Sequence, residues 1–203
     1  RPDLFHKRPY DRPGCNNYPS AVENTDAYLR PSVLLEFGGR NATLPQDTMT
    51  IVPDVAAHVP VLAFPTAQVA VLSPMRTFWE KATLIHVECH RPDLRAGAER
   101  LSRHWYDLAR LADHEVGRKA LADTELLSDV LRIKETFYRS GFSHYELCQT
   151  GGLRLIPDAA LLNALQQDYQ AMLDAQMFYG ETLVFDCIVE RLTTLESEIN
   201  RQG

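Results

Sequence analysis

Glu36 is the first residue that could carry phosphoryl chemistry. It lies in the apolar run Ser32-Val-Leu-Leu-Glu-Phe37 and shares a strand face with Leu34, because a strand alternates its side chains between two faces. Two interpretations stay open. Glu36 is either a solvated residue of an edge strand or a ligand for a hard cation such as magnesium, which carboxylates hold in phosphoryl-transfer sites.

A second segment, Ser73-Pro-Met-Arg-Thr-Phe-Trp-Glu-Lys81, combines a predicted helix start with two cations. A serine followed by proline is typical of a helix N-terminus. Arg76 falls in the first turn, where backbone N–H groups lack helical partners, and Lys81 follows on the same helix. Cations beside a helix N-terminus favour a phosphate ligand. The alternative is a solvated surface on which Arg76 pairs with Glu80.

The cluster His86-Val-Glu-Cys-His90 suggests a zinc site, because two histidines four residues apart share one helical face. A glutamate at the third position does not reproduce the metalloprotease order, in which glutamate follows the first histidine directly. No third ligand is evident. A zinc hydrolase built on His86 and His90 is therefore a minor alternative.

Asp107 lies in Arg103-His-Trp-Tyr-Asp107, within a predicted helix. It is either the i,i+4 partner of Arg103, which stabilises a helix by roughly 0.3 to 0.5 kcal/mol, or the residue that orients Lys81 or His86 from a neighbouring helix. The sequence has no phosphate-binding P-loop, no GxGxxG and no GxSxG. ATPase, dinucleotide-binding and α/β-hydrolase functions therefore have no motif in their favour.

Periodicity predicts the elements that must hold these residues. Three strands are expected at residues 31–39, 48–52 and 68–72, and five helices at about 74–90, 96–112, 125–138, from 157 to about 172, and 184–199. The third helix carries an apolar stripe of Leu126, Val130, Ile133 and Phe137. Residues 1–27 have no period and are expected to be extended or poorly ordered.

Eleven of the twelve prolines lie in residues 1–92, so a boundary is expected there, between a strand-and-loop part at 28–92 and a helical domain at 93–203. The predicted class is α+β. The net charge of −6 and the isoelectric point of about 5.6 exclude a global basic field. No apolar run is long enough to span a membrane. The four cysteines have no CxxC spacing, which favours a reducing, cytoplasmic setting.

Four separated segments resemble one known family. They are Tyr28-Leu-Arg-Pro-Ser-Val-Leu-Leu-Glu-Phe-Gly-Gly-Arg40, Leu72-Ser-Pro-Met-Arg-Thr-Phe-Trp-Glu-Lys-Ala-Thr-Leu-Ile-His86, Leu101-Ser-Arg-His-Trp-Tyr-Asp-Leu-Ala109 and Arg132-Ile-Lys-Glu-Thr-Phe-Tyr-Arg-Ser-Gly141. In this order they resemble the AbiEii/AbiGii toxin family of nucleotidyltransferases, in the polymerase-β-like superfamily, over about residues 28–200. The resemblance implies the remnant of a mixed nucleotidyltransferase sheet followed by a mostly helical domain.

The resemblance also implies roles for residues. Glu36 would be an acidic residue of a Mg²⁺ (or Mn²⁺) site. Lys81, Arg76 and Arg40 would contact the phosphates of an NTP, and Asp107 would be the acidic residue of the helical motif. Glu36, Lys81 and Asp107 would thus form the catalytic set.

By the same resemblance the reaction would transfer NMP to an acceptor such as tRNA or another RNA, and a cognate antitoxin would accompany the toxin. A local basic patch of Arg91, Arg95, Arg100, Arg103 and Arg110 is either an RNA-binding surface or a solvated helix face. Relatives carry Gly-Gly-Thr/Ser and Asp-x-Asp motifs further upstream, and this sequence has neither. Since it opens with arginine and its first methionine is Met49, we expect a fragment of a longer enzyme, or alternatively a non-catalytic binding or regulatory module.

Overall fold

A computed structural model describes residues 15–17, 32–34, 44–93, 100–178 and 180–201. These residues form four strands and six α-helices, which confirms the predicted α+β class. The strands are β1 (Cys15–Asn17), β2 (Ser32–Leu34), β3 (Gln46–Ile51) and β4 (Ala67–Leu72). The helices are α1 (Pro74–Cys89), α2 (Arg103–Asp113), α3 (Glu115–Ala122), α4 (Thr124–Phe137), α5 (Ala159–Asp174) and α6 (Phe185–Asn200).

The strands form two separate antiparallel pairs. β1 pairs with β2, and β3 pairs with β4 in a register that runs from Gln46 opposite Leu72 to Ile51 opposite Ala67. The predicted strands at 48–52 and 68–72 are confirmed within two residues, and the one at 31–39 is described over its first part, as β2. The β3–β4 hairpin exposes most of its side chains and leads directly into α1 through Ser73, whose N–H donates to the Pro45 carbonyl at 2.8 Å.

Helix α1 lies at the centre of the helical region and packs against α2, α3 and α4. It starts with proline at its first position, as predicted, because proline needs no intrahelical N–H partner there. Its buried face includes Phe78, Trp79, Ala82 and Ile85. The predicted domain boundary near residue 92 remains a prediction, and α1 shares its core with the helices that follow that boundary.

The corner between α2 and α3 depends on a glycine. His114 ends α2 and caps α3, where its Nδ1 accepts the Val116 N–H at 3.2 Å. A Cβ at Gly117 would lie 2.7 Å from the Leu111 carbonyl oxygen and 2.8 Å from the Ala112 Cα, so only glycine allows this approach. Helix α3 was not predicted from the sequence, because a helix of eight residues containing a glycine gives little periodic signal.

Two of the later helices, α4 and α6, contribute buried faces to the core. Helix α4 buries Leu126, Leu127, Val130 and Leu131, whereas Phe137 is 48% exposed. The predicted stripe was therefore wrong at Phe137, whereas Ile133 is partly buried, because the buried face follows the leucine pairs. Helix α6 lies in the predicted range 184–199, packs on α2 and buries Ile188, Leu192, Leu195 and Ile199.

Side chains of α6 also hold the segment between the glycine turn at Gly151 and α5. The Asn200 side chain accepts the Leu153 N–H and donates to the Leu153 carbonyl, both at 2.9 Å. The Glu196 carboxylate accepts the N–H groups of Leu155 and Ile156. This segment is therefore ordered by side chains in place of a backbone ladder. Within the described ranges, none of the helices has the length and apolar character that crossing a membrane would require.

Candidate active site

Lys81 and Asp107 form an ion pair between α1 and α2. The Lys81 Nζ lies 2.7 Å from the Asp107 Oδ2, and the two side chains are 20% and 42% exposed. The sequence left Arg103, Lys81 and His86 as possible partners of Asp107. In the structure the partner is Lys81, from the neighbouring helix. A pair of this kind is partly open to solvent, so another ligand can approach it.

The packing of α1 on α2 explains this meeting. Phe78, Ala82 and Ile85 face the core from α1, and Trp105 and Leu108 face it from α2. Lys81 and Asp107 lie at the margins of these apolar faces, where a long cationic side chain can cover apolar surface and keep its head near water. Trp105 fixes α2 further, because its buried indole N–H donates to the Leu155 carbonyl at 2.9 Å.

A histidine borders the pair. The His104 Nδ1 lies 3.5 Å from the Lys81 Nζ, and His104 and Asp107 are three residues apart on one face of α2. Burial, and next the positive charge of Lys81, lower the pKa of His104 to about 4. The ring is therefore neutral at pH 7 and adds no charge to the site.

Arg76 lies deeper, at the N-terminal end of α1. Its guanidinium is fully buried, and its Nη1 donates to the Leu44 carbonyl at 2.8 Å and to the Asp129 Oδ2 at 2.7 Å. Its Nε is 3.6 Å from the Glu80 Oε1, and its Nε and Nη2 have no hydrogen-bond acceptor among the described residues. The predicted pair with Glu80 is therefore present, but the solvated surface is wrong, because Arg76 is buried and its shorter ion pair is with Asp129 of α4.

The hydrogen bond from Arg76 lowers the pKa of the Asp129 carboxyl. Arg132 donates a second hydrogen bond to this carboxylate at 2.5 Å, which lowers the pKa as well. Glu80 is held in turn by Lys134 of α4 at 2.5 Å. Arg76 therefore joins α1 to α4 and to Leu44, two residues before β3. Its predicted contact with a nucleotide remains a prediction.

Two other predicted site residues, Glu36 and Arg40, lie outside the described residues. Their assignments as metal ligand and phosphate contact remain predictions. Within the ranges that the structure describes, no group of three or more histidine, cysteine or acidic side chains is arranged to hold a metal ion. Lys81 already occupies one oxygen of Asp107, so these residues alone do not fit a divalent cation site.

His86 has a structural role. Its Nδ1 accepts the Arg154 N–H at 3.0 Å, so its Nε2 carries the proton and donates to the His144 carbonyl at 3.0 Å. His90 donates from Nδ1 to the His86 carbonyl at 2.9 Å. Burial lowers the pKa of His86 to about 4. The zinc alternative is therefore wrong, because both ring nitrogens of His86 already hold backbone groups.

The structure distinguishes among the five arginines of the predicted basic patch. Arg91 is bound to the Glu88 carboxylate through two hydrogen bonds, of 2.8 and 2.9 Å, and lies over the Phe142 ring. Arg95 is outside the described residues, and the Arg100 backbone N–H donates to Asp168. Arg103 and Arg110 are exposed on α2, four residues before and three after Asp107, so all three share one helical face.

Two features were not found from the sequence. Asp129 is 53 residues from Arg76, and no local pattern marks such a distant partner. The contact of His104 with Lys81 was also missed, although its spacing of three from Asp107 on a predicted helix was a usable signal.

Comparison with known proteins gives one result. Residues 5–191 match the family described as nucleotidyl transferase AbiEii toxin, Type IV TA system. No curated protein and no solved structure has significant similarity to the chain. The match spans most of the sequence and includes both partners of the Lys81–Asp107 pair, so the chain belongs to the AbiEii family of nucleotidyl transferase toxins.

Proposed function

We propose that this protein transfers NMP from an NTP to a hydroxyl of an acceptor RNA, in the cytoplasm, as the toxin of a toxin–antitoxin pair. One observation carries the proposal: the Lys81 ammonium is held at 2.7 Å by Asp107 at a partly exposed margin of the helical core. Family membership supplies the reaction class. A regulatory antitoxin encoded alongside is part of the same proposal.

In the proposed reaction the acceptor oxygen bonds to the α-phosphorus, the bond to the leaving pyrophosphate breaks, and the hydroxyl proton passes to solvent. Lys81 binds the phosphates and offsets their negative charge, which is the main catalytic requirement of phosphoryl transfer. Asp107 holds the ammonium in place, so that little reorganisation is needed when the substrate arrives.

When bound, a divalent cation, Mg²⁺ or Mn²⁺, would supply positive charge that offsets the negative charge of the phosphates. Among the predicted residues, Glu36 is the one proposed as its ligand, and Arg40 is proposed as a further phosphate contact. The predicted contact of Arg76 with the nucleotide has the least support, because that side chain is fully buried and bound to Asp129. We therefore assign Arg76 to holding the N-terminal end of α1.

The acceptor RNA is proposed to lie along the exposed face of α2. Arg103 and Arg110 flank Asp107 on this face, and neither has an ion-pair partner among the described residues. An arginine without such a partner is a good phosphate ligand because its planar fork donates two parallel hydrogen bonds. Removal of one phosphate-binding arginine should reduce the salt dependence of RNA binding by about 0.7 in log–log slope.

Incorporation of labelled NTP into RNA, by the protein expressed from its complete reading frame, tests the proposal. Lys81→Ala should lower incorporation at least about a hundredfold, because it removes the charge that faces the phosphates. Lys119→Ala is the matched control, since Lys119 also forms an ion pair, with Glu115 at 2.8 Å, but on the exposed surface of α3. Equal activity of the two variants would exclude Lys81 from catalysis.

Calorimetry with each NTP and Mg²⁺ separates catalysis from a binding role. Nucleotide binding that depends on Lys81, without incorporation into any RNA, would replace the enzyme by a nucleotide-binding module. Double replacement of Arg103 and Arg110 by alanine should weaken RNA binding and lower its salt slope by about 1.4, for two phosphates, while NTP binding persists. An unchanged slope would place the RNA elsewhere.

A further inference from the structure

The Lys81 ammonium meets two acceptors on α2. Asp107 Oδ2 lies at 2.7 Å and His104 Nδ1 at 3.5 Å from Nζ. Because residues three apart lie on one helical face, both acceptors approach the ammonium from the same helix. The His104 contact is the longer one, so it contributes direction more than binding energy.

The chemistry of the contact fixes the state of the ring. An ammonium has three donors and no acceptor, so His104 can receive it only through an unprotonated Nδ1. The ring then carries its proton on Nε2 and is neutral. The surroundings agree with this state, since burial and the charges of Lys81 and Arg103 together lower the pKa of His104 to about 4, against the opposing effects of Asp107 and Glu88.

An ammonium held at two of its three N–H groups cannot rotate freely about its Cε–Nζ bond. We infer that His104 is a positioning residue that, together with Asp107, sets the rotation of the Lys81 ammonium so that its third N–H is directed at a phosphate oxygen of the nucleotide. This inference rests on the proposed function. The partial exposure of Lys81, at 20%, leaves room for that third partner.

Loss of His104 should affect turnover more than binding. The charge of Lys81 would remain, and charge is what attracts the triphosphate at a distance. The fixed direction of the third N–H would be lost, and orientation acts mainly in the transition state. We therefore expect kcat to fall about tenfold in His104→Ala, while KM for the NTP changes less than about twofold.

Two amide substitutions distinguish positioning from general packing. The side-chain oxygen of asparagine can take the place of Nδ1, whereas the longer glutamine places its amide where Nε2 lies. His104→Asn should therefore restore kcat to within about threefold of the unsubstituted protein, and His104→Gln should resemble His104→Ala. Thermal unfolding of all three variants shows whether each is folded under the assay conditions.

The outcomes separate this inference from the proposed function. If Lys81→Ala is inactive and the three His104 variants match the unsubstituted protein, then His104 has no positioning role and the function stands. Equal loss in His104→Asn and His104→Gln, with both folded, would also overturn the positioning role. If Lys81→Ala retains full activity, the proposed function fails first, and the His104 inference fails with it.

Discussion

Helix α1 presents two cations, each of which reaches a carboxylate on another helix at 2.7 Å, but in different surroundings. Arg76 is fully buried against Asp129 of α4, and its Nη1 also donates to the Leu44 carbonyl. Lys81 is 20% exposed beside Asp107, which is 42% exposed. The two distances are equal, so distance alone does not distinguish an ion pair that holds helices together from one that a ligand can reach.

Burial and connectivity separate the two pairs. Arg132 also donates to the Asp129 carboxylate, and Lys134 pairs with the neighbouring Glu80, so this network connects α1 to α4. The Lys81 pair has the neutral His104 as a further neighbour and stays accessible. A buried pair broken by removal of one partner is costly, whereas a partly exposed pair contributes little to stability.

The largest expected change in stability follows from Arg76→Met. This substitution keeps much of the apolar stem but removes the bonds to Leu44 and Asp129, and should reduce the free energy of unfolding by about 3 kcal/mol. Urea unfolding followed by circular dichroism measures it. A loss below about 1 kcal/mol would mean that the buried network does not hold α1 to α4.

His86→Phe should cause the second-largest loss of stability. A phenyl ring fills the space but leaves the Arg154 N–H and the His144 carbonyl without their partner, at a cost of about 2 kcal/mol. His90→Phe is the matched control, because His90 makes one hydrogen bond to the described residues, with the His86 carbonyl, and is less buried. Equal losses in the two variants would show that the two hydrogen bonds of His86 are not special.

Acid should weaken the fold over a defined range. The folded pKa of both His86 and His104 is lowered to about 4, against an ordinary value of 6.5. Between these values the unfolded chain binds more protons than the folded one, so stability falls as the pH decreases from about 6.5 to about 4. Urea midpoints at pH 7, 5.5 and 4.5 should decrease in that order, and less steeply in His104→Asn. Identical midpoints would contradict the neutral state of both rings.

The smallest expected change in stability belongs to Lys81→Met, at less than about 1 kcal/mol, although the same position should matter most for activity. A double-mutant cycle with Asp107→Asn should give a coupling energy below about 1 kcal/mol. A destabilisation as large as that of Arg76→Met would remove the distinction between the two pairs and make Lys81 a structural residue.

Sequence reasoning predicted the long elements well and their partners poorly. The starts of α1 and α4 and the hairpin strands agree with the structure to within about two residues, because proline, capping residues and periodicity act locally. The short α3 carries little of this signal. The predicted stripe was wrong at Phe137 because helical periodicity gives the spacing of residues on one face. It does not tell which of the possible faces is turned to the core.

The site shows the same limit. Cations at the start of α1 were recognisable from the sequence, and Lys81 and Asp107 were both named there. Their meeting at 2.7 Å depends on how α1 packs on α2, which no local pattern contains. The roles of Arg76 and His86 depend likewise on Asp129, His144 and Arg154, which lie more than 50 residues away.

The hydrogen bonds from α6 to the segment before α5 have a practical consequence for handling the protein. The Asn200 side chain bonds to both backbone groups of Leu153, and the N–H of the next residue, Arg154, donates to His86 on α1. Shortening the chain before residue 200, or fusing a bulky partner there, would therefore be transmitted to the central helix. A purification tag should therefore leave Asn200 and its bonds to Leu153 intact, so that a change in activity reports on the substituted residue and not on the tag.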